Sequence, residues 1–316
     1  MAKKQIKNPE DYIEPLSMNG LDGRMLLLKP PKGKSREMLV VYGHHASLER
    51  MWGLAGAFNK YGGVTVPDLP GFGGMTSFYK IGKKPDIDTL ADYLAAFIKL
   101  RYKKRKFTIV AISLGSAIVT RMLQKYPELV KRVDDLASVA GFVHHDDFKP
   151  SRRKIKFFKY VTAFLSTAVP AWLIKHVVLQ PFFIRWFYTH FRIKALNPEG
   201  ESEEDQKKRI NFEVELWQKN DVRTHYFTLS QMLGLNLCNH KVDTKIYHVA
   251  IDGDQYFDNH MIEQHMRVIY KDFVKMPLDV HVHAPTVIAT AEEAAVFIPR
   301  KLKILLNKRQ TPVRQK

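Results

Sequence analysis

Residues 107–117 read FTIVAISLGSA, and this stretch decides the fold. Phe107–Ile112 is an unbroken apolar-rich run with Thr, Ile and Val, the pattern of a buried strand. Ser113 follows at once, and Leu114–Tyr126 has helical spacing up to Pro127, which stops it. A strand that turns directly into a helix leaves little room at the corner. The positions two before and two after the serine must be small, and they hold Ala111 and Gly115. This context makes Ser113 a candidate nucleophile. Its Oγ would stand above the sheet, with the Leu114 N–H at the helix N-terminus beside it, where developing negative charge is favoured. A serine at such a turn is also a common helix N-cap, so partners must supply its chemistry.

Working outward, strands and helices alternate. Residues 38–42 (MLVVY) read as a short strand ending at Gly43. Residues 47–60 have helical spacing of Leu48, Met51, Trp52, Leu54 and Ala55, with Ser47 as N-cap. A strand at 64–66 leads into VPDLPGFGG (66–74), and 86–105 reads as a helix with Leu90, Tyr93, Leu94, Phe97 and Leu100 on one face. A strand is expected at 136–140. After residue 235 the alternation resumes, with a strand at 244–251, a helix at 259–270, a strand at 278–282 and a helix at 291–306. Such alternation implies parallel βαβ units, hence an α/β fold. Between 148 and 235 it fails, and the chain reads as aromatic and helical. The expected organisation is an α/β core in two parts, 1–147 and 236–316, interrupted by a helical cap at 148–235.

The motifs VVYGHHASLERMW (40–52), VPDLPGFGG (66–74), VAISLGSA (110–117), KYPELVKRV (125–133) and VAIDGDQYFDNH (249–260) occur in one order. On them the chain resembles the α/β-hydrolase superfamily, over roughly 37–147 and 244–306. The resemblance implies a mostly parallel central sheet with helices on both faces and an inserted helical cap. Three positions depart from the usual pattern: Ala111 begins the elbow where Gly is usual, Tyr42-Gly43 replaces His-Gly, and Ser116 replaces a second Gly.

The resemblance also implies a chain order of Ser, acid, His. Asp252, Asp254 and Asp258 compete for the acid, and Asp254 fits best. His281 and His283 compete for the base. His283 is favoured because it lies just past the expected strand, where a loop can aim it at Ser113. His44 and Leu114 N–H groups would form the oxyanion hole, and Gly43, His45, Phe142 and His144 would line the substrate site. No cofactor is implied. An Asp at the elbow would signal dehalogenase or epoxide-hydrolase chemistry, and Ser113 disfavours both. The expected activity is hydrolysis of an apolar carboxylic ester, lipid-derived or small; transfer to an alcohol stays open. The alternative is an inactive protein that keeps the fold as a membrane-associated binding module.

Paired histidines at 44–45 and in HHDD (144–147) suggest metal, but neighbours on an extended chain point apart, so no metal site is expected. The glycines of 66–74 lack the G-x-x-x-x-G-K spacing of a phosphate loop.

Composition bounds the partners. The 316 residues hold 50 Lys and Arg against 32 Asp and Glu, a net charge of +18, with 45% hydrophobic residues. That apolar content excludes a disordered chain, and the single Cys238 excludes a disulfide framework. Half of the basic residues lie in four acid-free segments, 1–7, 101–106, 148–194 and 300–316, so the remainder is net acidic. The largest segment also holds twelve aromatic residues. Its first reading is a cap that buries these rings over the sheet around an acyl-sized pocket. Its second adds contact with an anionic membrane surface. Nucleic acid is disfavoured because no recognition motif occurs. The most apolar stretch, 160–174, is broken by Pro170 and too short to cross a bilayer. The expected location is cytoplasmic, with peripheral membrane association.

Overall fold

The computed structural model describes residues 9–192, 202–280, 283 and 290–308. One eight-stranded sheet organises them: β1 (Ile13–Met18), β2 (Leu21–Leu28), β3 (Glu37–Val41), β4 (Gly63–Pro67), β5 (Phe107–Ile112), β6 (Val133–Val139), β7 (Val242–Ile251) and β8 (Tyr270–Leu278). The spatial order is β1-β2-β4-β3-β5-β6-β7-β8. β2 runs antiparallel to both its neighbours, and every other pair is parallel. β3, β4 and β5 are buried almost throughout, as parallel strands covered on both faces must be.

The covering helices are α1 (Leu48–Asn59), α2 (Ile87–Tyr102), α3 (Leu114–Lys125) and the one-turn α4 (Pro127–Val130). Asp86 caps α2 by accepting from the Thr89 N–H at 2.7 Å. Ser47 stands at the N-cap of α1, as expected, but makes no capping hydrogen bond there.

The two strands before residue 37 were not anticipated. They form a hairpin at Asn19-Gly20, both with positive φ, a two-residue turn whose twist suits adjoining strands. The last strand also differs. It spans Tyr270–Leu278 rather than 278–282, because Val274 and Met276 pair with Tyr247 and Val249 of β7. The expected C-terminal helix is interrupted by Pro299 and divides into the short α11 (Ala291–Ala294) and α12 (Arg300–Asn307), after α10 (Asn259–Ile269).

Between β6 and β7 the described residues contain helices and no strand of the sheet. These are α5 (Arg152–Leu165), α6 (Ala168–Leu173), α7 (Pro181–Phe187), α8 (Glu203–Lys219) and α9 (Val222–Met232), with π-helical turns at Ile174–Val178 and Tyr188–Arg192. Isolated bridges His144–Asn236 and Phe148–Phe257 close the base of this insertion. α8 and α9 meet on the 66–74 loop. Asn220 Oδ1 accepts from the Gly73 N–H at 2.8 Å, and the Asp221 N–H donates to the Gly71 carbonyl at 2.9 Å. Gly71 has positive φ, and a Cβ there would lie 2.6 Å from Thr224, so glycine permits the seat.

The first reading of the basic aromatic segment is overturned. α5, α6 and α7 turn only Ile155, Thr162, Ala171 and Ile184 fully inward. Most of their large rings face outward, up to 71% exposed at Phe182. Helices lying on the protein by one narrow face leave the rest of their circumference uncovered.

Candidate active site

The carboxyl ends of β3, β5, β7 and β8 gather the sequence-predicted groups at one rim of the sheet. Ser113 sits between β5 and α3 with φ 50° and ψ −119°, a conformation that a non-glycine residue adopts only where its surroundings enforce it. Its N–H is tied to the Val139 carbonyl at 3.0 Å. Gly115 lets the turn close: a Cβ there would meet the Val41 carbonyl oxygen at 2.2 Å. Gly43 lies against the serine, since a Cβ there would lie 2.9 Å from Ser113 Cβ. Ser116, in place of a second glycine, has its own task. Its hydroxyl meets the Ala111 carbonyl at 3.2 Å and Ser138 Oγ at 2.9 Å, joining α3 to β5 and β6.

The three acid candidates separate by geometry. Asp252 is exposed. Asp258 caps α10, accepting from the His260 and Met261 N–H groups. Asp254 is 2% exposed and accepts from His283 Nδ1 at 2.7 Å. Its other oxygen accepts from the Tyr256 and Phe257 N–H groups at 2.8 and 3.2 Å. Burial works against its charge, but the His283 hydrogen bond and charge and the two backbone donors outweigh it and hold the carboxyl below its usual range. His283 is seated between the rings of Tyr256 and Phe257, at 5.2 and 5.3 Å. With Nδ1 donating to Asp254, Nε2 is left as the basic nitrogen. His281 lies outside the described residues.

The remaining predicted residues divide. His44 and His45 follow Gly43 beneath the cap. His44 Nε2 donates to the His225 carbonyl at 2.9 Å, and burial brings its pKa to about 4, so it is neutral near pH 7. His45, with positive φ, packs tilted against Trp217 at 4.1 Å and lies 3.6 Å from Glu213. Phe142 is fully buried between Phe257 and Phe148, where it supports the ring wall behind His283 rather than the site itself.

His144 is drawn away from the rim into the root of the cap. It contacts His145 and His265, and its Nδ1 accepts from the Asp146 N–H. The expectation that neighbouring histidines point apart fails here, because His145 starts a 3₁₀ turn. Ligand atoms of His144, His145 and Asp146 consequently lie within 4.8 Å of one another. Two competing bonds engage this group. Arg152 holds both Asp146 carboxylate oxygens, at 2.6 and 3.0 Å, and the Asp146 N–H occupies His144 Nδ1.

Sequence reading missed the cap's contribution. Glu213 of α8 joins Arg50, His45 and Tyr188, and although burial opposes its charge, the His45 and Arg50 contacts bring its pKa to about 2. His225 and Trp217 pack at 4.7 Å over His44 and His45. The pairings to His44, His45 and Arg50 join residues more than 160 positions apart, and no local spacing signals them. Asp68 was also missed. It is enclosed behind the site, holding Tyr42 and Arg24, and burial raises its pKa to about 7. Tyr42 therefore does the structural work of its position by donating to Asp68 and accepting from the Leu69 N–H.

Two surface clefts, one beside Arg152 and Met261 and one beside Arg121 and Gln231, include none of Ser113, Asp254 or His283. Ser113 itself is buried, at 8% exposure.

Comparison with known proteins agrees with this fold. The α/β hydrolase fold family model matches residues 38–171. An enol-lactonase from Burkholderia xenovorans LB400 superposes with a TM-score of 0.62 at 12% identity, over 93% of this chain and 98% of its own. The epoxide hydrolase CorEH gives 0.59 at 15% identity, over 93% and 96%. A hydrolase from Pseudomonas aeruginosa PA01 gives 0.59 at 10% identity, over 85% and 90%. A search of curated protein sequences found no match. The chain has the α/β-hydrolase fold.

Proposed function

We propose that the protein is a serine hydrolase of apolar carboxylic esters. The observation that carries this reading is the buried Asp254–His283 hydrogen bond of 2.7 Å at the same sheet rim as the strained Ser113 turn. A Ser hydroxyl alone is a weak nucleophile and needs a positioned base. In the proposed reaction His283 Nε2 takes the Ser113 proton as Oγ attacks the ester carbonyl carbon. Asp254 holds His283 in the needed tautomer and stabilises its charged form. The Leu114 and His44 N–H groups receive the oxyanion. The protonated His283 then gives its proton to the leaving alcohol as the C–O bond breaks. Water, activated by the same imidazole, releases the acid and restores Ser113.

The serine favours this chemistry over the epoxide opening that several structural neighbours suggest. Phe72 and His225 beside His44, with Trp217 beside His45, suit an apolar acyl group. The second reading is an inactive binding protein of this fold, favoured by the exposed aromatic helices. A fluorophosphonate probe separates the two. Wild-type protein is expected to label, and Ser113→Ala to lose labelling along with at least a thousandfold in p-nitrophenyl ester turnover. Undiminished labelling of that variant would falsify the assignment of the nucleophile.

A further inference from the structure

The residues that the fold leaves uncovered are concentrated. Among the described residues, 13 of the 18 exposed large hydrophobic side chains fall between Phe157 and Phe187, including Phe164, Val169, Trp172, Phe182 and Trp186. A soluble surface rarely gathers so many, and such a patch marks an interaction site. Basic groups border it: Arg153, Lys154, Lys156 and Lys175 are exposed, and no Asp or Glu occurs from 148 to 194.

The helix breaks show a second, independent pattern. α5 and the following run Ala168–Val178 bend by 80° and together have the length and composition of a membrane span, although no single helix among the described residues does. Near the breaks, side chains add hydrogen bonds to carbonyls of the preceding turn. Ser166 and Thr167 hydroxyls donate to the Ala163 and Phe164 carbonyls, each at 2.7 Å. His176 Nδ1 donates to the Trp172 carbonyl and Gln180 to the His176 carbonyl, at 2.9 and 2.8 Å. Thr189 and His190 repeat the device on Arg185 and Trp186. Water would satisfy such carbonyls on an ordinary exposed surface. In a poorly hydrated layer they must be satisfied from within. Trp172–His176 and Trp186–His190 also place an indole beside an imidazole one turn on, at 4.7 and 5.3 Å, side chains suited to the interfacial zone.

We propose that residues 152–190 form an arm that seats in one leaflet of an anionic phospholipid bilayer, its rings at the acyl boundary and its lysines and arginines at the phosphates. The 80° bend sets the arm along the interface rather than across the bilayer. Charge complementarity selects this occupant over a second copy of the chain, whose matching patch would bring like charges together. The arm stands apart from the assignment of Ser113. It also names the substrate's source under that assignment: an ester delivered from the membrane to the cap.

The test uses the full chain with phosphatidylcholine vesicles, alone or with about one third phosphatidylglycerol. Flotation with the anionic vesicles is expected, weakening as salt rises. Arg153→Gln/Lys154→Gln/Lys156→Gln should weaken partitioning tenfold or more, and Phe182→Ser/Phe183→Ser should do the same. Brominated lipid should quench wild-type tryptophan emission, and Trp172→Phe/Trp186→Phe should lose that quenching while keeping the fold. Ser113→Ala should float like wild type, so a failure of the catalytic assignment leaves the arm intact. Binding indifferent to lipid charge, absent quenching, or a stable dimer that buries Trp172 and Trp186 and ignores vesicles would each overturn the proposal.

Discussion

At the residue scale, three carboxylates within seven positions have three different fates. Asp254 ends in a buried hydrogen bond to His283, Asp258 caps a helix and Asp252 faces solvent. The difference comes from the turn after β7, where the Tyr256 and Phe257 N–H groups fix one Asp254 oxygen and leave the other for the imidazole. Asp254→Asn is expected to lower kcat by about 10⁴, because the amide accepts from Nδ1 less well and permits the wrong tautomer. Asp252→Asn should leave ester turnover within about twofold, on the ground that it is solvated and unpaired with His283. Steady-state kinetics on both variants checks the assignment, and equal losses would refute it.

At the element scale, the β5–α3 junction shows how little freedom the site allows. A methyl group at residue 115 would lie 2.2 Å from the Val41 carbonyl oxygen, a backbone atom that no rotamer can move. Gly115→Ala is therefore expected to destabilise the protein by about 1–3 kcal/mol or more and to disturb Ser113 together with it. Denaturant melts and probe labelling should fall together; a variant of wild-type stability would mean that the corner is looser than described.

This junction was legible because strand, turn and helix are contiguous, and steric need appears as a small residue at a fixed offset. Asp254 and His283 were legible only through chain order. The hairpin at Asn19-Gly20 is likewise encoded locally, in two adjacent residues that tolerate positive φ. The seating of the cap was not legible. Glu213 reaches Arg50 and His45 across the fold, and Thr224 meets Gly71, through contacts that no periodicity encodes. Nor does amphipathic spacing say what a helix's apolar side will meet, which is why rings expected over the sheet face outward instead.

At the scale of the whole molecule, buried histidines set the response to acid. Burial lowers His44, His144 and His248 to about 4, and His225 further. An unfolded chain takes up these protons near pH 6.5, whereas the folded one resists until about pH 4. Proton uptake therefore favours unfolding as pH falls through that window. Asp68 opposes this: raised to about 7 by burial, it binds its proton in the folded state before the unfolded one does. Four lowered imidazoles outnumber the three carboxyls that burial raises, Asp68, Asp134 and Asp147, so the melting temperature should decline from about pH 6.5 towards 4. His248→Gln should flatten the decline and Asp68→Asn should steepen it. A melting temperature constant across that range would contradict the burial of these rings.

The rims of the sheet bear on how the molecule behaves in company. β1 and β8 are the edge strands, and each carries a proline, Pro15 and Pro277, beside charged residues such as Glu14, Lys271, Asp272 and Lys275. A proline offers no N–H to an incoming strand, and burying the neighbouring charges is costly. Proteins collected on a surface become crowded in two dimensions, where open edges zip into fibres. Blunted rims oppose such edge-to-edge pairing between copies of this chain.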